Sequence, residues 1–359
     1  MNALLVGGNF DHDKGKSSKI FEAISKSFIS SWVRNEHDFC YINGGNLSKL
    51  SEMAEKINKF NVAIWFPNIS NDEEKIIAEL KKRNKKLLLV ASKNNTQNKY
   101  NISQLLQHAL KNKANIFVEF TRNDGRYSAK LLDPLGNQYG ETTENMNEIG
   151  ERIAGRVREL LQFTRIGSKN VGPVIEAPND TSFFEVIRKH AETFHELIYG
   201  DVEISRFLGN SSFRCTNGFP SMKNHKGIFV TKRNLDKSLL NQNGFVCVEN
   251  NEAPVLYHGE NKPSVDTPIQ IRLYNYYDNL RYILHSHCYI EGALMTNRVI
   301  PCGAIEEFDE IIALYSDSQT VNICVNLKGH GSLVLADNVE YMKNIKYIAR
   351  KFPELLSGG

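Results

Sequence analysis

Over residues 1 to about 165, short apolar runs alternate with amphipathic segments. Ala3-Leu-Leu-Val6, Val62-Ala-Ile-Trp-Phe66, Lys86-Leu-Leu-Leu-Val90 and Ile116-Phe-Val-Glu-Phe120 have the length and bulk of buried strands. Helical periodicity runs from Ser18 to about Ser31, from 102 to 112, and from Glu144 to about Phe163, where Ile149, Ile153, Val157, Leu160 and Leu161 share one face. Asn71-Asp-Glu-Glu caps and charges a further helix start. Strands alternating with helices imply parallel pairing through right-handed crossovers, so this part predicts a doubly wound Rossmann-like or flavodoxin-like α/β domain. Tyr127 to Thr143, with Asp133-Pro-Leu-Gly136 inside it, reads as a hairpin or turn-rich excursion.

Glycine, proline and polar residues cluster between 166 and 180, which predicts a linker. Residues 181–359 then form a second domain, opening with a helix from Thr181 to about Ile198 on which His190 and His195 are packed or solvated residues rather than ligands. Strand-like pieces follow at Arg206–Leu208, Ser211–Arg214, Gly227–Val230 and Gly244–Val248, ahead of a helix beginning near Ile269. Strands bunched in this way predict a largely antiparallel sheet flanked by helices.

Composition narrows the function. Lys and Arg together number 44 against 41 Asp and Glu, a net charge of +3 in 359 residues, so neither nucleic acid nor an anionic membrane is an expected partner. Six cysteines are scattered without a Cys-x-x-Cys pair, which fits small core residues in a reducing compartment. Without a basic, apolar leader or a run of some 18 apolar residues, the chain reads as cytoplasmic. The loop Gly7-Gly-Asn-Phe-Asp-His-Asp-Lys-Gly-Lys-Ser-Ser18, with Lys14 and Lys16, suits an anion at a helix start. Six residues between Gly8 and Gly15 are nonetheless too many for a phosphate-binding loop of the nucleotide hydrolases.

The sharpest chemistry lies in Tyr282-Ile-Leu-His-Ser-His-Cys-Tyr289. Side chains on a strand alternate faces, so His285 and His287 project to the same side and offer two metal ligands. His330, in a Gly329-His-Gly331 turn after the apolar run Val321–Val325, supplies a third from another strand. A divalent ion on three neutral imidazoles keeps its charge and open positions, and so acts as a Lewis acid toward an enediolate, the intermediate common to aldol cleavage, epimerisation and dehydration.

Five ordered landmarks between about 181 and 350 carry a family resemblance: Leu208-Gly-Asn-Ser-Ser-Phe-Arg214, Ile228 to Lys237, Pro263-Ser-Val-Asp266, His285-Ser-His287 and His330. This half resembles the class II aldolase/adducin superfamily, which includes fuculose-phosphate aldolases and ribulose-phosphate 4-epimerases. The resemblance implies an α/β/α fold with His285, His287 and His330 as ligands of a divalent metal, most readily zinc. It also implies Asp266 as acid–base, and Gly209, Asn210, Ser211, Thr231, Arg233 and Ser264 around a small anionic sugar substrate. A homo-oligomer, tetrameric in the family, goes with it. Asp266 also precedes Pro268, a residue suited to a first helical turn, and is therefore an N-cap candidate too.

Two departures are visible. Lys232-Arg-Asn234 replaces the family's Thr/Ser-Gly, and a guanidinium forks onto phosphate or carboxylate oxygens. Only Ala293 to Val299 intervenes where the 4-epimerases carry an excursion with a catalytic aspartate, leaving Glu291, Glu306, Glu307 and Tyr289 as nearby substitutes, with Tyr341 and Tyr347 on a last helix. The favoured reading is a metal-dependent aldolase or epimerase-like enzyme. The alternatives are a non-catalytic adducin-like association module, or an N-terminal domain that processes a nucleoside or nucleotide-sugar, for which Asp11, Asp13 and Glu119 are the available carboxylates.

Overall fold

The computed structural model describes residues 2–8, 19–33, 38–43, 50–67, 74–200, 202, 204, 206–215, 227–315 and 321–356. The greater part of the glycine–lysine loop, with Asp11, Asp13, Lys14 and Lys16, lies outside them, as does the Asn71 cap. Two compact units emerge: residues 1–161 together with 351–359, and residues 162–350.

The first unit is built on β1 (Ala3–Gly7), β2 (Phe39–Asn43), β3 (Val62–Phe66), β4 (Leu87–Asn94), β5 (Ile116–Asn123), β6 (Arg126–Leu132) and β7 (Asn137–Tyr139). Its sheet runs β2-β1-β3-β4-β5-β6-β7 and ends on Glu354–Leu356. The first five strands are parallel, in the strand order of the flavodoxin-like doubly wound sheet. Period two sends β1 side chains to both faces: Ala3 and Leu5 join Phe21, Phe28 and Ile153, whereas Leu4 and Val6 join Met53, Ile57 and Leu80. Helices α1 (Lys19–Val33), α2 (Leu50–Asn58), α3 (Glu74–Arg83) and α5 (Met146–Gln162) supply these partners, while α4 (Ile102–Lys111) packs Leu105 and Ala109 against Ala91 and Phe117. Asn101 and Gln104 close a capping box at the start of α4.

Asp124 and Gly125 both have positive φ and turn β5 back onto β6 antiparallel, so the excursion after Phe120 extends the sheet. The strand Phe39–Asn43 and helix Leu50–Asn58 carry no strong periodic signal in the sequence, yet β2 is needed to cover the edge of β1. Glu354–Leu356 pairs parallel with β7, which groups the end of the chain with this unit rather than with residues 181–350.

The second unit holds β8 (Ser168–Gly172), β9 (Asn210–Arg214), β10 (Ile228–Thr231), β11 (Phe245–Val248), β12 (Val255–His258), β13 (Tyr282–Ser286), β14 (Tyr289–Ile290), β15 (Leu294–Met295), β16 (Ile323–Leu327), β17 (Gly331–Ala336) and β18 (Tyr347–Ile348). Nine of them form one sheet, β15-β16-β17-β13-β9-β10-β11-β12-β8. It is antiparallel throughout except for β12 with β8 and β15 with β16. β8 lies inside the stretch read as a linker, so that stretch is partly an edge strand. Arg206–Leu208, expected as a strand, is irregular: Phe207 N donates to Asn234 Oδ1 and Leu208 N to Tyr199 Oη, so side chains rather than a neighbouring strand take its amides.

Helices α6 (Thr181–Tyr199), α7 (Thr267–Tyr276), α8 (Glu306–Leu314) and the short α9 (Val339–Met342) cover this sheet. Ile283, Val325, Leu333 and Leu335 face the cluster that contains Ile271, Leu273 and Ile311. Tyr282, Leu284 and Val334 face Phe183, Phe184 and Ile187. Asp180 caps α6 by accepting from Phe183 N. Among the described residues, no helix is long and apolar enough to cross a membrane.

His190, on α6, is a packed residue: its ring meets Tyr347 edge-on at 5.1 Å and its Nε2 donates to the Met342 carbonyl at 2.7 Å. Burial holds its pKa below the ordinary value, with the Met342 carbonyl opposing. With the folded pKa below the unfolded one, the unfolded chain binds more protons as pH falls through about 6.5. His190 therefore stabilises the fold fully above that pH and progressively less below it. Thermal melts of His190→Gln are expected to lose less Tm between neutral and mildly acidic buffer than the wild type loses.

Candidate metal centre

β13 lies between β9 and β17, and this neighbourhood positions the site. His285 sits opposite Leu333 on one side and Asn210 on the other. His287 follows one residue beyond the strand end, and His330 immediately precedes β17. The three rings stand 4.7–5.0 Å apart by centroid, and one nitrogen of each lies within 4.8 Å of the others. All three are buried. The nitrogens His285 Nε2, His287 Nδ1 and His330 Nε2 are buried without a hydrogen-bond partner. Such buried, unpartnered ring nitrogens are costly unless something else satisfies them, and three imidazoles are the donor set of an open catalytic cation site.

Two of the rings are oriented by their other nitrogen. His285 Nδ1 donates to the Ser332 carbonyl at 2.9 Å, which assigns its proton and leaves Nε2 with a lone pair. His330 Nδ1 donates to Glu307 Oε1 at 2.7 Å, both side chains being buried. Burial, with His330 second, pushes His285 down to about 4, so it is a neutral ligand at ordinary pH. Burial and the other two histidines hold His287 well below its usual range. Burial alone would also lower His330, but the Glu307 carboxylate overrides it and holds that imidazole well above the usual value.

Close backbone approach makes two glycines necessary. A Cβ on Gly331 would stand 2.0 Å from the Ser286 carbonyl oxygen, and one on Gly209 would stand 2.6 Å from that of His285. Gly209 is further held by its neighbours: Lys237, itself buried, donates through Nζ to the carbonyls of Leu208 and Leu235. Burial pushes that ammonium down to about 8, Asp236 opposing.

Asp266 occupies the position before α7, but its side chain caps nothing. Instead its carboxylate accepts from Asn210 Nδ2 at 2.6 Å, Cys302 Sγ at 3.3 Å and Ser264 Oγ at 3.4 Å, and stands 4.0 Å from His285 Nε2. Burial works to raise its pKa, yet His285, His330 and the hydrogen bonds from Cys302 and Asn210 carry it below the usual carboxylate range.

The remaining expected site residues divide. Asn210 is spent internally: its Nδ2 serves Asp266 while its Oδ1 accepts from Gln270. Thr231 Oγ1 accepts from Ser211 N, and Ser211 is wholly buried with its hydroxyl unpartnered. Arg233 as a residue is exposed, yet desolvation and then Arg206 lower its pKa while Asp266 and Cys302 oppose them. Of the four substitutes offered for the missing aspartate, Glu307 holds His330, Glu306 accepts from Thr164 N, Glu291 pairs with Lys346, and Tyr289 Oη accepts from Gly329 N. Tyr347 lies on β18 rather than on a helix and is buried against Phe194. In the first unit, Glu119 is bound to Asn95 and Lys130. Cys302, Gln270 and Lys237 carried no spacing signal that singled them out; they reach the site through loops and helix faces.

The family model of the Class II Aldolase and Adducin N-terminal domain matches residues 193–311, within the second unit. The C-terminal half thus carries a class II aldolase-type domain, with His285 and His287 inside the matched stretch and His330 beyond it. Similar solved structures include YgbL from Escherichia coli, described as a putative aldolase/epimerase/decarboxylase (16% identity over 45% of this chain and 82% of that one, TM-score 0.30). An aldolase II superfamily protein from Pseudomonas syringae is similar at 14% identity over 45% and 70%, TM-score 0.30. A DNA/pantothenate metabolism flavoprotein from Streptococcus pneumoniae is similar at 12% identity over 45% and 99%, TM-score 0.33. No curated protein matches the chain.

Proposed function

We propose that the second unit is a divalent-metal-dependent lyase or epimerase that acts on a phosphorylated or otherwise anionic sugar. The observation that carries this reading is the convergence of three buried imidazoles, two of them aimed by Ser332 and Glu307, beside a buried ionised carboxylate. Zinc suits such a nitrogen donor set, and when bound a divalent ion supplies Lewis acidity toward adjacent substrate oxygens. Asp266, ionised and 4.0 Å from His285 Nε2, accepts a proton from substrate and returns it. Asn210, Ser264 and Cys302 hold its carboxylate in place for that transfer. Arg233 supplies the positive charge that binds the substrate's anionic group, because the Asn210 and Thr231 side chains are already committed. Assembly into a tetramer belongs to the same proposal and is read by sedimentation.

Elemental analysis of purified protein, followed by a screen of sugar phosphates for cleavage and epimerisation, tests the reading. About one divalent ion per chain is expected. Asp266→Asn is expected to keep that ion while kcat falls by about 10²–10⁴-fold, the usual weight of a positioned acid–base group. Wild-type protein that stays free of metal after incubation with zinc, manganese and cobalt would sink the proposal.

A further inference from the structure

Cys302 precedes α8 in the turn after Pro301 and is partly exposed. Its thiol donates to Asp266 Oδ1 at 3.3 Å. One Asp266 oxygen, the Cys302 sulfur and one His330 ring nitrogen all lie within 4.8 Å of one another, a second set of donors beside the three histidines. His330 belongs to both sets. Its Nδ1 is taken by Glu307, so the buried and unpartnered Nε2 is the one atom it has left for a cation.

We propose that Asp266, Cys302 and His330 form a second cation position, selective for soft, thiophilic divalent ions, which overlaps the histidine triad and excludes an ion from it when filled. The inference rests on the reading of the triad as a cation site. One nitrogen cannot serve two centres, so the chain holds one ion in either place and not two. The triad offers nitrogen alone, which suits zinc and cobalt; the second set offers sulfur, which ions such as cadmium prefer. Ligation breaks the S–H bond, forms a metal–sulfur bond and releases one proton to solvent, with no change of oxidation state. Asp266 is drawn onto the same ion, so a soft cation removes the proposed proton acceptor and the triad together.

The test uses the full chain after treatment with chelator. Cadmium added to the wild type is expected to produce thiolate-to-metal charge-transfer absorption in the ultraviolet, and Cys302→Ser is expected to lose it. Cys40→Ser, which removes an exposed cysteine elsewhere, is expected to retain it. Prior loading with cadmium should block cobalt uptake in the wild type but not in Cys302→Ser, whose cobalt d–d spectrum also reports that the variant is folded. Cadmium NMR of the wild type reads sulfur ligation without any variant. Absorption that persists undiminished in Cys302→Ser, or cadmium and cobalt bound together in one chain, overturns this inference and leaves the triad intact. Failure of both ions to bind overturns the inference and the reading beneath it.

Discussion

Replacing His330 with alanine is expected to abolish stoichiometric binding of a divalent cation and to lower activity by about 10³-fold or more. The magnitude follows from the several kcal/mol that a Lewis-acidic ion contributes to charge stabilisation, at one tenfold step per 1.36 kcal/mol. A second cost comes with it. Glu307 is buried and has His330 Nδ1 at 2.7 Å, so truncating the ring strands a buried carboxylate. Breaking a buried pair from one side costs about 3–5 kcal/mol, which is expected in the metal-free protein as well. Elemental analysis and chemical denaturation of the chelated form separate the two effects. His195→Ala, on a partly exposed ring of α6, should keep its metal and its stability. A His330→Ala protein that still carries one tightly held ion would show that the triad is not the binding site.

Gly331→Ala is expected to damage the same centre through the backbone. The new methyl group would meet the Ser286 carbonyl oxygen at 2.0 Å and His287 Cα at 2.7 Å, and neither can move as a side-chain tip moves. β13 and β17 would have to separate where Ser286 faces Ser332, beside the carbonyl that orients His285. Overpacking of this kind costs about 3 kcal/mol or more, a drop of roughly 6–12 °C in Tm for a unit of this size. Loss of metal affinity should accompany it, because His287 and His330 flank the point of collision. A variant with unchanged Tm and metal content would contradict the closeness of these strands.

Much was legible before any tertiary contact was known, because it depends on local periodicity. A period of 3.6 marked α1, α4, α5 and α6 to within two residues at each end, whereas the strand expected to carry both His285 and His287 ends at Ser286, so that only His285 stands on it. Gly329-His-Gly331 read as a turn that carries a third ligand, and the order of landmarks from Gly209 to His330 suggested the fold of the second half. β2 and α2 escaped because their runs are short and mixed in polarity; it is pairing with β1 that makes Phe39–Asn43 a strand.

The division of labour within the site was decided only by tertiary structure. Asn210 and Asp266 are separated by 56 residues, and nothing local says that one amide will spend its hydrogens on the other rather than on a ligand. Glu306 and Glu307 are adjacent, yet one caps a backbone amide and the other aims His330. That choice depends on which face of α8 turns toward β17, and Cys302 likewise meets Asp266 only because the loop before α8 crosses the start of α7. Sequence determined which donors exist and how they are spaced, since those are properties of neighbouring residues. The packing of distant elements decided which donors remain free for a cation, since each hydrogen bond made inside the fold removes one that a ligand would use.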